Sequence, residues 1–202
     1  ATLRHATVVP EIEIPGHSTA ALAAYPAVSC DSTKTYKVST CWGIKEDVYC
    51  PSEFTFRFLE DVFTEMLPLF PSRYWHIGGD ECPQKAWKES AFCRNLMKQK
   101  GLKSYDEIQS LFVNRVSSFL RSHGKTVIGW DEILDGGNVD GMVAQSYRGH
   151  APAAKGIRRG HYVILSPDRW CYYNYYQADP ETEPKANSLL LTLKKAYNYY
   201  PV

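Results

Sequence analysis

Two adjacent carboxylates are the part of this chain best equipped for chemistry. In Tyr74-Trp75-His76-Ile77-Gly78-Gly79-Asp80-Glu81-Cys82, an apolar run meets two glycines and then Asp80 and Glu81. Successive strand residues point to opposite faces, so the pair can serve one site only if the backbone leaves strand geometry just before it. Gly78 and Gly79 permit that, because glycine tolerates bulges and close approach. Two carboxyls at one site suit acid–base work, one holding a proton and the other a charge. A strand running into a polar loop would explain the same residues without chemistry, so the elements around them have to decide.

Those elements alternate. Residues 7–14 (TVVPEIEI) read as a buried strand, broken by Pro15-Gly16-His17. An Ala-rich helix is expected over 18–25, then a long irregular stretch over 26–51, of the kind that is usually functional or inserted. Helical spacing of apolar residues covers 53–69. The strand that carries Asp80-Glu81 follows, then a helix over 83–100. A second helix spans 104–123, capped by Ser104 with Glu107 at the capping-box position. Further strands are expected at 126–130, 141–147 and 161–166, with a polar connection at 131–140 and a short helix at 151–159. An aromatic stretch, 170–176, and a helical piece from 188 close the chain. Five apolar strands with helices in most links imply a parallel α/β sheet. A doubly wound sheet and a (β/α) barrel both fit, but no Gly-rich phosphate loop follows any strand, which weakens the nucleotide-binding form. His17, Asp80-Glu81, Trp130, Tyr147 and Tyr172 all fall at C-terminal strand ends, the active face of a barrel. A barrel needs eight strands, and five are visible.

The 202 residues suit one domain, with no second domain inside the chain; they are 44% hydrophobic and 22% charged. The net charge of +1, without basic blocks, argues against nucleic-acid binding. No apolar run approaches the ~18 residues of a membrane span. The first residues read as the tail of a helix inside a larger protein, so any export signal would lie upstream. Six cysteines, at 30, 41, 50, 82, 93 and 171, lack zinc-site spacing, and no metal or other cofactor is expected. Cys30, Cys41 and Cys50 share one polar stretch, where a disulfide would suit an oxidising compartment, periplasmic or extracellular. The 14 Tyr and 5 Trp offer flat apolar faces with polar tips that fit sugar rings.

The ordered motifs PEIEIPGH (10–17), HIGGDE (76–81), GWDE (129–132), QSYRG (145–149) and YYN (172–174) resemble the catalytic barrel of family 20 glycoside hydrolases, the β-N-acetylhexosaminidases, and most of all their Bacteroidetes members. The similarity covers essentially the whole chain. It implies a partial (β/α)8 TIM barrel running from the third strand through the seventh, and an exo-acting enzyme that removes terminal β-linked N-acetylglucosamine or N-acetylgalactosamine from a glycan. In the family, the parts outside such a segment supply a substrate-clamping Arg, an Asp behind the PGH histidine and a Trp-x-Glu motif.

The resemblance also implies roles. Glu81 is the general acid and then the base, which requires a carboxyl that keeps its proton near neutral pH; burial or a neighbouring anion would favour that. Asp80, ionised, orients the substrate's own 2-acetamido group, whose oxygen attacks the anomeric carbon. His17 directs a polarising hydrogen bond towards Glu81. Trp130 walls the acetamido pocket, and Tyr172 donates its hydroxyl to the acetamido carbonyl. His76 is read as an inward-facing barrel residue. Two positions depart from the family. Tyr147 stands where Trp is usual, so the pocket is expected to be wider or wetter. Asn174 stands where Asp is usual and removes a charge that would repel a 6-sulfate, by about 1–4 kcal/mol at ~4 Å depending on the dielectric. Arg148 or Arg169 would supply the cation, and 6-sulfated N-acetylglucosamine becomes a candidate substrate. A carbohydrate-binding barrel without catalysis, or a metal-dependent barrel hydrolase, are the competing readings.

Overall fold

The strands form where β-branched and aromatic runs meet. The computed structural model describes residues 1–137 and 139–201; residue 138, in the expected polar connection, lies outside them. Strands β1 (Glu11–Ile14), β2 (Tyr74–Gly78), β3 (Thr126–Trp130), β4 (Val143–Ser146) and β5 (Tyr162–Leu165) pair in parallel in the order of the sequence. The order never reverses, and a reversal is where a doubly wound sheet opens its ligand crevice. Because every pairing is parallel, the C-terminal ends of all five strands lie along one margin of the sheet.

The pairing of β1 with β2 is irregular. Glu11 pairs with His76 and Ile14 with Gly78, so three steps along β1 match two along β2. The extra residue is a bulge, which re-aims the side chains beside it. The other pairings of this five-stranded sheet run in plain register, Trp130 opposite Gln145 and Gln145 opposite Ile164.

Helices cover the sheet. Helix α2 (Glu53–Met66) follows the short α1 (Thr19–Ala24); Ser52 caps it by accepting from Thr55 N at 3.2 Å. The cover continues with α3 (Lys85–Glu89), α4 (Ala91–Lys100) and α5 (Tyr105–Ser122). Phe63 from α2 meets Trp75 of β2 edge-on at 5.7 Å between ring centroids. Phe112, Val113, Val116 and Leu120 from α5 complete a core with Ile77, Val127 and Leu134. After β4 come α6 (His150–Arg158), β5 and α7 (Asp168–Cys171). The two short strands β6 (Tyr175–Tyr176) and β7 (Asn187–Leu190) then pair with each other in parallel, and α8 (Leu193–Tyr197) follows.

Four expectations are corrected. Strand β1 starts at Glu11 rather than 7, since Pro10 has no N–H for the ladder and Val8 and Val9 are exposed. The helix expected over 83–100 is two, broken at Ser90, whose hydroxyl accepts from Cys93 N and starts α4. The helix over 53–69 ends at Met66 and tightens into a 3-10 turn, Leu67–Leu69, around Pro68. The helical piece expected from 188 begins only at Leu193, as α8; Asn187–Leu190 before it is strand, because Tyr175 and Tyr176 offer it an edge. The long stretch 26–51 is irregular as expected, apart from a 3-10 turn at Pro26–Val28 and an isolated bridge between Ser29 and Tyr49.

Candidate active site

The turn after β2 makes the site. Gly78 and Gly79 take φ of +68° and +94°, left-handed values that side chains oppose. A Cβ on Gly78 would sit 1.9 Å from Glu13 Oε1. The turn is clamped on both sides: Gly79 N donates to Glu13 Oε1 at 2.8 Å, and Gln109 Nε2 of α5 donates to Gly79 O at 2.7 Å. Beyond it, Glu81 N donates to Glu132 Oε2 at 3.0 Å. The alternation that would separate Asp80 and Glu81 is thereby cancelled. His17 Nε2 stands 3.6 Å from Asp80 Oδ2 and 3.3 Å from Glu81 Oε2. His17 and Glu81 are themselves non-glycine residues at positive φ, +47° and +45°, a strain of about 1–3 kcal/mol each that clusters at active sites.

Three further carboxylates crowd this pair. Burial, and then the charge of Asp80, push Glu13 up to about 9, so near neutral pH Glu13 carries a proton beside Asp80. Burial also raises Asp80, while the charge of His17 opposes that rise. With the shared proton on Glu13, Asp80 is the ionised partner. Its Oδ1 is buried, and the Asp80 carboxylate shares a side-chain hydrogen bond with protonated Glu13. Glu132 is raised by burial, against the hydrogen bond from Tyr147. Glu11 goes the other way, lowered first by its bond to His76, whose Nδ1 lies 3.0 Å from Glu11 Oε1. Gly78 N lies equally close to that nitrogen, which serves one of the two at a time.

Aromatic rings close the other side. Trp130 ends β3, with its Nε1 donating to Glu11 Oε1 at 3.2 Å and its ring in a T-shaped contact with His76 at 4.9 Å between centroids. Tyr147 meets Trp130 edge-on at 5.5 Å and stacks on Tyr172 at 6.3 Å with 13° between planes. Burial, then the charge of Asp80, raise the Tyr172 hydroxyl to about 12, so it stays a donor. The Tyr147 hydroxyl, expected to wet the pocket, is instead bonded to Glu132 Oε1. His76 is buried, as an inward-facing residue should be.

Arg148 is not available to a substrate. Its Nε binds Asp131 Oδ1, its terminal nitrogen binds Asp135 Oδ2 at 2.9 Å, and its backbone N donates to Asp131 Oδ2. Asp131 is fully buried and needs that charge. Asn174 is exposed in the link from α7 to β6, and its carbonyl accepts from Asn187 N at 3.0 Å; Arg169 is exposed on α7.

A cleft of about 360 Å³ opens beside Glu81, lined by His17, Trp42, Gly43, Ile44 and Glu81. Trp42, almost wholly exposed, comes from the long stretch after α1. A larger cavity of about 640 Å³ lies away from the site, between the first residues of the chain and 69–74. Sequence reasoning missed Glu13, Gln109, Glu132 and Trp42. The available signal for Glu13 was a charge set inside an apolar strand run, and for Glu132 a second acid in GWDE. Among the described residues two groups have donors close enough to share a metal: His17 with Asp80 and Glu81, and Cys30 with Cys50 and Cys93.

The family model described as "Glycosyl hydrolase family 20, catalytic domain" matches residues 1–202. The β-hexosaminidase of Porphyromonas gingivalis is 43% identical over 201 residues, covering 98% of this chain and 26% of that protein. That of Vibrio furnissii is 35% identical, covering 98% of this chain and 33% of its own length. The solved exo-β-N-acetylglucosaminidase of Vibrio harveyi in complex with N-acetylglucosamine matches with a TM-score of 0.82 at 32% identity, over 100% of this chain and 32% of that one. The chain therefore spans about a quarter to a third of the length of these relatives.

Proposed function

The chain belongs to glycosyl hydrolase family 20, and from that premise we propose that it forms the acid–base and acetamido-binding part of an exo-acting β-N-acetylhexosaminidase. Its five strands are then the third to seventh of an eight-stranded (β/α) barrel, a reading supported by their unreversed parallel order. The observation that carries the proposal is one histidine nitrogen lying within 3.6 Å of both adjacent carboxylates, on a turn clamped from two sides.

Glu81 gives its proton to the glycosidic oxygen as the bond to the anomeric carbon breaks. The substrate's acetamido oxygen attacks that carbon from the opposite face, forming an oxazolinium intermediate. Asp80 accepts the acetamido N–H, and its charge offsets the developing cation. Tyr172 donates to the acetamido oxygen and holds it in line, and Trp130 and Tyr147 enclose the methyl group. Water then adds to the anomeric carbon, returning its proton to Glu81. The terminal sugar is N-acetylglucosamine or N-acetylgalactosamine.

Two sets of experiments on the full-length protein test this. First, aryl β-N-acetylglucosaminides with increasingly fluorinated acetyl groups should show kcat/KM falling steeply with each fluorine. A flat series would mean a protein nucleophile and would overturn the assignment of Asp80. Glu81→Gln should lower kcat by about 10²–10⁴ on poor leaving groups and much less on good ones. Second, Asn174 supports acceptance of 6-sulfated N-acetylglucosamine, with Arg169 as the remaining candidate cation. The ratio of kcat/KM for sulfated over plain substrate should drop in Asn174→Asp, and an unchanged ratio ends that part of the proposal.

A further inference from the structure

Three cysteines from distant parts of the chain meet away from the active site. Cys30 Sγ and Cys93 Sγ are 4.0 Å apart, and these two sulfurs and that of Cys50 all lie within 4.8 Å of one another. This regroups the thiols: Cys93 joins Cys30 and Cys50, whereas Cys41 stands exposed. The meeting is built by the fold. Cys50 N donates to Val28 O at 2.9 Å and Ser29 bridges Tyr49, so the two ends of the long loop run side by side and bring Cys30 to Cys50. Cys93 enters from the first turn of α4, with Trp87 and Ile108 packed in the same small core.

We propose that Cys30, Cys50 and Cys93 hold a zinc-class divalent cation that fastens the long loop to α4, independently of the hydrolase chemistry. Three observations support this. The separation of 4.0 Å is close to the ~3.8 Å edge of a tetrahedron with metal–sulfur bonds of ~2.3 Å. Three sulfurs are an odd number for pairing, since a disulfide would strand one of them, and soft thiolates select zinc and its relatives. The site is also reachable: a cavity of about 270 Å³ has Cys30 and Ser90 in its wall, with Asp31, Asp47 and Glu89 at its rim to draw in a cation and Lys34 already paired to Asp47. Of the three cysteines Cys30 lines that cavity, so a cation would enter from its side. Metal entry displaces the thiol protons into solvent, so binding weakens as the pH falls.

The loop so fastened is the one that brings Trp42, Gly43 and Ile44 to the active-site cleft. Loss of the metal should therefore loosen the cleft wall while leaving Asp80 and Glu81 in place.

The test uses the full-length protein purified in reducing buffer and then incubated with zinc or cadmium. Elemental analysis should find one zinc per chain beyond the content of a Cys30→Ser/Cys50→Ser/Cys93→Ser variant, and cadmium should produce a near-ultraviolet thiolate-to-metal absorption band in the wild type. Cys41→Ser and Cys171→Ser should keep both signals. Zinc should raise Tm and a chelator should lower it, without any mutation being needed. If reduced wild-type protein takes up no stoichiometric zinc and shows no cadmium band, the site does not exist. A Cys30–Cys50 disulfide found by mass spectrometry in protein that rejects both metals would overturn it equally.

Discussion

At the scale of the residue, Glu13 governs more than its place in a strand suggests. Its proton keeps Asp80 the charged partner, and its carboxyl oxygen takes the N–H of Gly79. Folding raises this acid from 4.5 to about 9, so the folded state binds the proton more tightly. The resulting stability is full below pH 4.5 and is lost as the pH climbs to about 9. Glu13→Gln mimics the protonated form, and its Tm should fall less than that of wild type between pH 6 and 9; parallel curves would refute this role. Arg148 makes the opposite point, as a residue that resembles a ligand but is structural. Arg148→Met leaves the buried Asp131 carboxylate with only Ser146 and a backbone N–H. It should cost about 2–4 kcal/mol, read as a lower urea midpoint with unchanged slope. The selectivity between sulfated and plain substrates should not move.

At the scale of the element, the bulge in β1 and the turn after β2 form one device. The bulge aims Glu13 across to β2, and the absent side chain of Gly78 is the space that Glu13 fills. Gly78→Ala imposes both a left-handed φ and a collision with that carboxyl, and should cost at least ~2 kcal/mol together with most of the activity. A Tm within a degree of wild type would show that the turn tolerates what the geometry forbids. Sequence reading reached part of this. Apolar runs between breakers revealed β1 to β5, because a strand's own residues carry its period. The two glycines announced a departure from strand geometry. The partner of that departure was not legible, since a bulge depends on the register between two strands rather than on either one. The same limit explains β7, whose short run becomes a strand only because β6 lies beside it. Ser90 is a different case: its capping signal is present in the sequence, but the run reads as one continuous helix.

At the scale of the whole molecule, unreversed strand order puts the strand-end residues of the candidate active site on one margin of the sheet. The order of motifs along the chain is therefore their order around the site, which is why a linear set of short patterns could identify it. Contacts between distant positions stayed hidden for the complementary reason: Cys93 reaches Cys30 across 63 residues, and nothing local to either announces the other. The adjacency of Asp80 and Glu81 has a consequence for motion. Where two strands each contribute one catalytic carboxylate, thermal breathing of the sheet changes the distance between them. Here a single peptide bond joins the two, so a displacement of β2 carries both together. Breathing alters instead their distance to Trp130, Tyr147 and Tyr172 on the neighbouring elements. Warming should then disturb the grip on the acetamido methyl before it disturbs proton transfer, with KM rising at temperatures where kcat still climbs.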